Sequence, residues 1–324
     1  MRTCPLLHYA FNGDADGLCA LQQLRLVDPR PATLVTGVKR DVALLRRVAA
    51  KPADEVTVLD VSLEANRGAL MPMLEAGVSV RWIDHHHAGF APEHVHFESL
   101  IDTSADVCTS LLVDHVLGGR YRSWAIAATF GDGLKDVANC LCLAAGLSAD
   151  RATVLERLGI GLNYNAYGES LPDLHIDPAA LAAHMRPFEC PFEFARKSSV
   201  FESLFQNYLA DMEVARRLQP RLLVPGAAVV IMPDEAWARR AIGTLANELM
   251  CAWPDCGIAL LSRRSAGGYT VSVRAPAGGR AQADALCLQF ATGGGRRGAA
   301  GINELPASEV DAFVARFEAH FGLG

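Results

Sequence analysis

The sequence predicts an α/β protein with a mostly parallel N-terminal sheet flanked by helices, a helical linker and a smaller C-terminal α/β domain. Three observations predict this class. Short runs rich in valine and isoleucine alternate with helix-like stretches over about the first 130 residues, as in β-α-β units. A mainly helical pattern then extends to about residue 220, and a second β-α pattern follows it. A chain of 324 residues is long enough for two domains.

In the first half, each predicted strand is a short apolar run that ends in a polar or glycine-containing segment. These strands lie at 6–12, 33–38, 56–62 and 78–84. The predicted helices are the longer stretches that follow them, at 17–27, 41–50 and 64–77. Because a helix follows each strand, neighbouring strands are expected to be parallel, with helices covering the sheet.

The second half repeats the β-α pattern after a long connecting helix. The helix is predicted at 198–220 and is ended by Pro220. Strands are predicted in LLVPGAAVVIM, CGIALLS and YTVSVRAP, and the chain closes with a helix in SEVDAFVARFEAHF. The predicted division is therefore a domain at 1–195, a linker helix at 196–220 and a domain at 221–324.

Composition limits the classes of function. The net charge of −6 argues against sequence-independent binding of duplex nucleic acid. Nine scattered cysteines without a CxxC pair argue against a structural zinc site and favour buried thiols in a reducing compartment. No apolar run is long enough to span a membrane. We therefore expect a cytoplasmic protein with no membrane partner.

Aspartates and histidines of the first half occur in four segments, each at the end of a predicted strand or in a turn. They are Asp14 and Asp16 in FNGDADG, Asp60 in VLDVS, Asp84, His85 and His86 in RWIDHHHAGF, and Asp132 in FGDGL. Ligands of open α/β sheets bind outside the carboxyl ends of the strands, so these side chains are expected to converge there. Carboxylates held together repel unless a cation lies between them. Carboxylate and imidazole together suit Mn²⁺ or Mg²⁺, with zinc or iron as alternatives.

Each of these residues also has an ordinary explanation. An aspartate beside a glycine is usually a turn or a helix cap. A lone histidine after a strand is more often a surface residue than a ligand. The metal site is favoured because all four segments occur together in one chain.

The motifs GDADG, LDVS and DHH, in this order, resemble those of the DHH phosphoesterase superfamily. GGGRRGAAG at 293–301 is similar to the glycine-rich motif of the DHHA1 substrate domain. The resemblance covers nearly the whole chain, and the layout is most similar to the nanoRNase and RecJ-like branch. It implies a metal-dependent phosphoesterase, with 1–195 as the DHH catalytic domain and 221–324 as the DHHA1-like domain.

The resemblance also implies a role for each residue. Asp14 would bind one of two metal ions and Asp16 the other, with Asp60 bridging them. His85 and Asp132 would complete the second ion's ligands. Two residues would have other roles: His86 would contact the scissile phosphate, and Asp84 would orient the neighbouring imidazole. Water activated by two metals would then attack phosphorus.

Three positions depart from the family's pattern. Ala10 stands where a metal-binding histidine is common, and Asn12 stands where RecJ-like members often have an aspartate. The alternative function is therefore a catalytically weakened nucleotide-binding or regulatory relative that keeps the fold. The other departure is Arg296, where the glycine motif usually continues with histidine; arginine also binds phosphate.

The C-terminal domain is expected to bind the substrate. Gly293, Gly294 and Gly295 could expose successive N–H groups as an anion nest, with Arg274 and Arg296 beside it; a glycine-rich turn with surface arginines is the alternative. Aromatic residues make up only 7%, which favours a short oligonucleotide or small nucleotide over a polymer. The resemblance places this substrate in a cleft between the domains. A homodimer is left open.

Overall fold

The computed structural model describes residues 5–276 and 281–322 and divides the chain into two compact units, Met1–Asn207 and Tyr208–Gly324. The division lies inside the segment predicted as the linker helix. The eight cysteines in the described part of the chain are free thiols, and Cys4 lies outside the described residues. No helix among these residues is long and apolar enough to cross a membrane.

The first unit contains a five-stranded sheet in which every paired strand is parallel to its neighbour. Its order is β2-β1-β3-β4-β5. The strands are β1 (Leu7–Phe11), β2 (Ala32–Val35), β3 (Glu55–Leu59), β4 (Ser79–Asp84) and β5 (Phe97–Ile101). The predicted α/β class is therefore confirmed, and β5 is a strand that the sequence pattern did not predict.

Helices of the first unit precede or follow these strands. They are α1 (Ala15–Val27), α2 (Leu63–Glu75), α3 (Thr109–Val116), α4 (Arg122–Gly131), α5 (Lys135–Ala144), α6 (Ala149–Asn165), α7 (Pro178–Met185), α8 (Pro191–Lys197) and α9 (Ser199–Ala215). The last of them, α9, runs across the division between the units.

The helix predicted at 41–50 is wrong, because this segment forms only a short 3₁₀ helix at Leu44–Arg47. The Asn66 side chain of α2 accepts from the N–H of Leu45 at 3.0 Å and donates to the carbonyl of Val42. Leu44 and Leu45 are fully buried. One tertiary amide therefore satisfies backbone groups that a longer helix would have paired internally.

Two glycines allow the helices α1, α4 and α6 to pack in close contact. A Cβ at Gly131 in α4 would lie 2.4 Å from the Cβ of Ala15, and a Cβ at Gly159 in α6 would lie 2.1 Å from the carbonyl oxygen of Ala127. Any larger residue would push α4 away from α1 and α6. Because α4 ends at Gly131, this packing fixes Asp132, its C-cap residue, near the beginning of α1.

The second unit contains a six-stranded sheet in the order β10-β11-β9-β8-β7-β6, and of its described strand pairs only β7 and β8 are parallel. Buried Phe313, Phe317 and Phe321 of α12 belong to its core. The elements are β6 (Leu222–Val224), β7 (Ala227–Met232), α10 (Ala236–Ala252), β8 (Gly257–Arg263), β9 (Tyr269–Arg274), α11 (Ala283–Cys287), β10 (Gly293–Gly295), β11 (Ala299–Leu305) and α12 (Val310–Phe321).

Candidate metal centre

The candidate site lies at the carboxyl edge of the first sheet, where the strand order reverses. β1 pairs with β2 on one side and with β3 on the other. The N–H of Asn12 donates to the carbonyl of Leu59 at 3.2 Å, and the N–H of Asp60 donates to that of Ile83 at 3.1 Å. These bonds continue the ladders past the strand ends. Residues that follow β1, β3 and β4 are therefore held side by side at a topological switch point.

Asp14 and Asp16 follow β1, but their side chains have different partners. Asp14 is the N-cap of α1, and its Oδ1 accepts from the N–H groups of Asp16 at 3.0 Å and Gly17 at 3.1 Å. The Asp16 carboxylate instead accepts from the N–H groups of Thr109 and Ser110 at 2.7 Å each, at the beginning of α3. Each carboxylate is thus oriented by a helix N-terminus, where backbone donors favour negative charge.

Asp60 follows β3 in a left-handed backbone conformation, with φ of 57°. Such a conformation is uncommon for a residue with a side chain and is often found at functional sites. Its Oδ1 accepts from the hydroxyl of Thr109 at 3.3 Å. Burial, together with the nearby carboxylates of Asp14 and Asp16, raises the pKa of Asp60 well above its usual range. The site therefore disfavours a charged Asp60 as long as no cation offsets it.

His85 directs one ring nitrogen to the backbone and the other to the carboxylates. Its Nδ1 lies 3.0 Å from the carbonyl oxygen of Val107, so this nitrogen carries the proton and Nε2 is left with a free lone pair. Nε2 lies 3.4 Å from Asp60 Oδ1, 3.8 Å from Asp132 Oδ2 and 4.0 Å from Asp16 Oδ2. This arrangement is typical of a metal-binding imidazole.

His86 is held by Asp84. The fully buried Asp84 carboxylate accepts from the N–H of His85 at 2.8 Å, and the same oxygen lies 2.7 Å from Nδ1 of His86. The hydrogen bond to Asp84 raises the pKa of His86, although burial of the ring opposes it. The His86 side chain is 45% exposed, so an oriented imidazolium can reach a ligand from this edge of the sheet.

Lys39 is a cation at this site that the sequence analysis did not identify. Its Nζ lies 2.5 Å from Asp14 Oδ2, 3.3 Å from Asn163 Oδ1 and 3.6 Å from Asp132 Oδ1. Burial alone would lower the pKa of Lys39, but the Asp14 carboxylate and its neighbours raise it well above its usual range. Lys39 directly follows the predicted strand at 33–38. Its position directly after a strand is therefore the same signal in the sequence as that of the aspartates.

The Lys39 ammonium lowers the pKa of Asp14 more than it lowers that of Asp132. Burial alone would raise the pKa of Asp14, but Lys39 and hydrogen bonds from Asp60 and Gly17 hold it below its usual range. Burial and the Asp16 carboxylate raise the pKa of Asp132 to about 6, because Lys39 opposes them less effectively there. The cluster therefore contains one neutralised carboxylate and others that still repel.

The donor atoms have the spacing of ligands to a divalent ion. Asp16, His85 and Asp132 each offer an atom within 4.8 Å of the others, and so do Asp60, His85 and His86. Ligand atoms about 2.1 Å from a shared ion lie about 3 to 4.2 Å apart, which matches the distances from His85 Nε2. Oxygen donors with an imidazole fit Mn²⁺ better than Mg²⁺, which prefers oxygen alone.

The structure therefore brings together every first-half residue that was predicted to bind metal or phosphate, and their individual roles stay predictions. Three other residues of β1 and of the histidine segment do not belong to this cluster of side chains. Ala10 is fully buried in the apolar core of the first unit. His8 pairs with Asp54 at 3.3 Å and is not part of the cluster. His87 is exposed.

The predicted substrate residues of the second unit have a different local structure from the one expected. Gly293, Gly294 and Gly295 form strand β10, paired with Ile302, Gly301 and Ala300 of β11. Consecutive N–H groups of a strand point to opposite sides, so the expected anion nest is wrong for this segment.

Two arginines lie at one end of the same sheet. Arg296 follows β10 in a tight turn closed by its N–H, which donates to the carbonyl of Ala299 at 2.8 Å. Ala299 pairs with Arg274 of β9. Arg274 Nε donates to Asn247 Oδ1 at 3.1 Å. Ala299 therefore lies between the backbones of Arg274 and Arg296 at this end of the sheet, and contact of the two arginines with a substrate stays a prediction.

No protein-family model matches the chain, and no curated protein matches it. Solved structures do. An exonuclease RecJ bound to manganese is 18% identical, with a TM-score of 0.63 over 98% of this chain and 90% of that chain. A DHH domain from a protein described as a member of a family of ribosomal proteins is 13% identical, with a TM-score of 0.66 over 98% and 88%.

A pGpG-specific phosphodiesterase from Vibrio cholerae is 14% identical, with a TM-score of 0.56 over 97% of this chain and 99% of that chain. At these identities the likeness establishes the fold. The predicted resemblance to DHH proteins is therefore confirmed at the level of the fold.

Proposed function

We propose that this chain is a metal-dependent phosphoesterase that hydrolyses phosphodiester or phosphomonoester bonds of short oligonucleotides or small nucleotides. The observation that carries the proposal is that carboxylate oxygens of Asp60, Asp132 and Asp16 lie 3.4, 3.8 and 4.0 Å from His85 Nε2 at the switch point of a DHH-like sheet. The structural neighbours include an exonuclease solved with manganese and a phosphodiesterase for pGpG.

The proposed reaction is attack of water on phosphorus, with cleavage of the ester P–O bond. A divalent ion, when bound by Asp16, Asp60, His85 and Asp132, would supply Lewis acidity and lower the pKa of a water molecule. His86, oriented by Asp84, donates from Nε2 to a phosphate oxygen or to the departing ester oxygen. The Val107 carbonyl fixes the tautomer of His85.

In the second unit, we propose that Arg274 and Arg296 bind a phosphate that is not cleaved, with Gly293, Gly294 and Gly295 allowing close approach. The low aromatic content supports a short substrate. All ten basic residues after position 220 are arginines, which suit the bidentate binding of phosphate.

The test is release of mononucleotide from a 5′-phosphorylated dinucleotide by the full chain with Mn²⁺, Mg²⁺ or EDTA. A nucleoside 3′,5′-bisphosphate serves as the phosphomonoester substrate. Metal-dependent hydrolysis of either substrate supports the proposal. Absence of hydrolysis with both substrates, by protein that binds the metal, would contradict it.

The second candidate is a nucleotide-binding relative with little or no turnover. It is favoured by Lys39, whose ammonium lies on Asp14. Calorimetric binding of the dinucleotide without any metal-dependent release of product would support this candidate over the enzyme.

A further inference from the structure

We propose that the Lys39 ammonium is a built-in cation that takes the place of one of two ions, so that the centre binds a single divalent ion through Asp16, Asp60, His85 and Asp132. This inference rests on the proposed function, because it concerns the metal content of the same site. It predicts one ion per chain instead of the two that the family resemblance implies.

Asp14 is the carboxylate that forms the closest ion pair with Lys39. Its Oδ2 is 2.5 Å from the lysine Nζ, while its Oδ1 accepts the N–H groups of Asp16 and Gly17. Within residues 5–276 and 281–322, two groups of side chains are spaced to share a metal ion, and Asp14 belongs to neither. An ion about 2.1 Å from Asp14 Oδ2 would lie within about 5 Å of the ammonium and would be repelled by it.

The lysine is fixed in this position by several segments. Its backbone N–H donates to the carbonyl of Ala166 at 2.9 Å, and its carbonyl accepts from the Asn12 amide at 3.4 Å. The Asn163 amide donates to the hydroxyl of Tyr167 at 3.0 Å, which directs its Oδ1 to the ammonium at 3.3 Å. A surface lysine without such restraints would pair only transiently.

The remaining carboxylates lie around one nitrogen, Nε2 of His85, with Asp60 Oδ1 at 3.4 Å and Asp16 Oδ2 at 4.0 Å. Asp132 has one oxygen 3.6 Å from Lys39 Nζ and the other 3.8 Å from His85 Nε2. It therefore lies between the ammonium and the proposed metal ligands. With Lys39 paired to Asp14, one divalent ion opposite Asp16, Asp60 and Asp132 reduces the net charge of these groups from −3 to −1, which lowers the repulsion between the buried carboxylates.

The experiment measures bound Mn²⁺ in the full-length chain by calorimetry and by electron paramagnetic resonance. Wild-type protein is expected to bind one ion with the spectrum of an isolated Mn²⁺. Lys39→Ala frees Asp14 and should bind two ions, with the altered spectrum of an exchange-coupled pair. Lys39→Arg keeps the charge and should bind one. Lys135→Ala, which removes an exposed lysine paired with Glu156, is the matched control and should also bind one.

Two ions in the wild-type protein would overturn the inference while leaving the proposed function intact. One ion in the wild type, with two in Lys39→Ala, supports the inference whether or not a phosphate ester is hydrolysed. No bound ion would overturn both. If Lys39→Ala does not fold by circular dichroism, two ions in the wild-type protein, with the spectrum of an exchange-coupled pair, still overturn the inference.

Discussion

The carboxyl edge of the first sheet and the arginine-bearing end of the second sheet are both expected to contact phosphate, but they are built differently. At the first, Asp16, Asp60 and Asp84 are almost completely buried, and backbone or side-chain donors hold each of them. At the second, Arg296 is exposed. Buried charges need fixed partners, whereas exposed arginines can adapt to a ligand. Substitutions should therefore have larger effects in the first region.

The largest effect is expected for Asp60→Asn. Asparagine tolerates the left-handed backbone that Asp60 adopts and keeps the size of the side chain, but it removes a charged metal ligand. Initial rates of metal-dependent hydrolysis should fall by at least about a thousandfold. Asp136→Asn, an exposed carboxylate in the same unit, is the control and should keep the wild-type rate. An active Asp60→Asn protein would remove the proposed mechanism.

The rigidity of the two regions can be compared with glycine substitutions. A Cβ at Gly17 would lie 2.1 Å from the carbonyl oxygen of Asn12, whereas a Cβ at Gly294 would meet no atom within 4 Å. Gly17→Ala should lower the free energy of unfolding by about 1–3 kcal/mol. Gly294→Ala should change it by less than about 0.5 kcal/mol. Urea denaturation measures both free energies of unfolding. Equal losses in the two variants would show that the two regions do not differ in rigidity.

Metal binding should weaken in acid, because protons compete for the carboxylates of the first region. The pKa of Asp132 is raised to about 6 and that of Asp60 is raised as well, both chiefly by burial. The dissociation constant for Mn²⁺ should therefore rise about tenfold for each pH unit below about 6. Calorimetric titrations between pH 5 and pH 7.5 check this. A constant affinity would mean that these carboxylates do not bind the ion.

The same shifts set the stability of the metal-free protein. A carboxyl group whose pKa is raised on folding holds its proton more tightly in the folded state. It therefore disfavours folding at pH values above its raised pKa and ceases to do so as it is protonated. Thermal unfolding should accordingly show a larger stabilisation by Mn²⁺ at pH 7.5 than at pH 5. An equal stabilisation at both values would contradict this.

The smallest effect is expected for Arg296→Ala in the second region. Loss of one exposed phosphate contact should raise KM about fivefold to tenfold and leave kcat nearly unchanged. Arg221→Ala, which removes an exposed arginine paired with Asp311, is the matched control and should leave both constants unchanged. A fall in kcat at constant KM would place Arg296 in the chemistry instead of in binding.

Local features of the chain were enough to predict the class of the fold and the content of the first region. Apolar runs at strand spacing predicted β1, β3 and β4, and the polar residues directly after them are the ones that converge. This works because parallel strands place their carboxyl ends at one edge. The strands that the local pattern did not predict form because they pair with a neighbouring strand. FESLI at 97–101 is partly polar and becomes β5 only by pairing with β4. The three glycines of β10 become a strand only by pairing with β11.

The sequence by itself determined that four acidic and histidine-containing segments follow strands or turns of an α/β unit, and that a divalent cation is their natural partner. Only the tertiary structure decided which carboxylate pairs with a lysine and which carboxylates lie around His85. Lys39, 25 residues from Asp14 in the chain, lies on that carboxylate. Carboxylate oxygens of Asp60, Asp132 and Asp16 instead lie 3.4, 3.8 and 4.0 Å from Nε2 of His85. The physical reason is that charge compensation depends on distances of a few ångströms between side chains, which strand order and helix packing set and which spacing along the chain does not reveal.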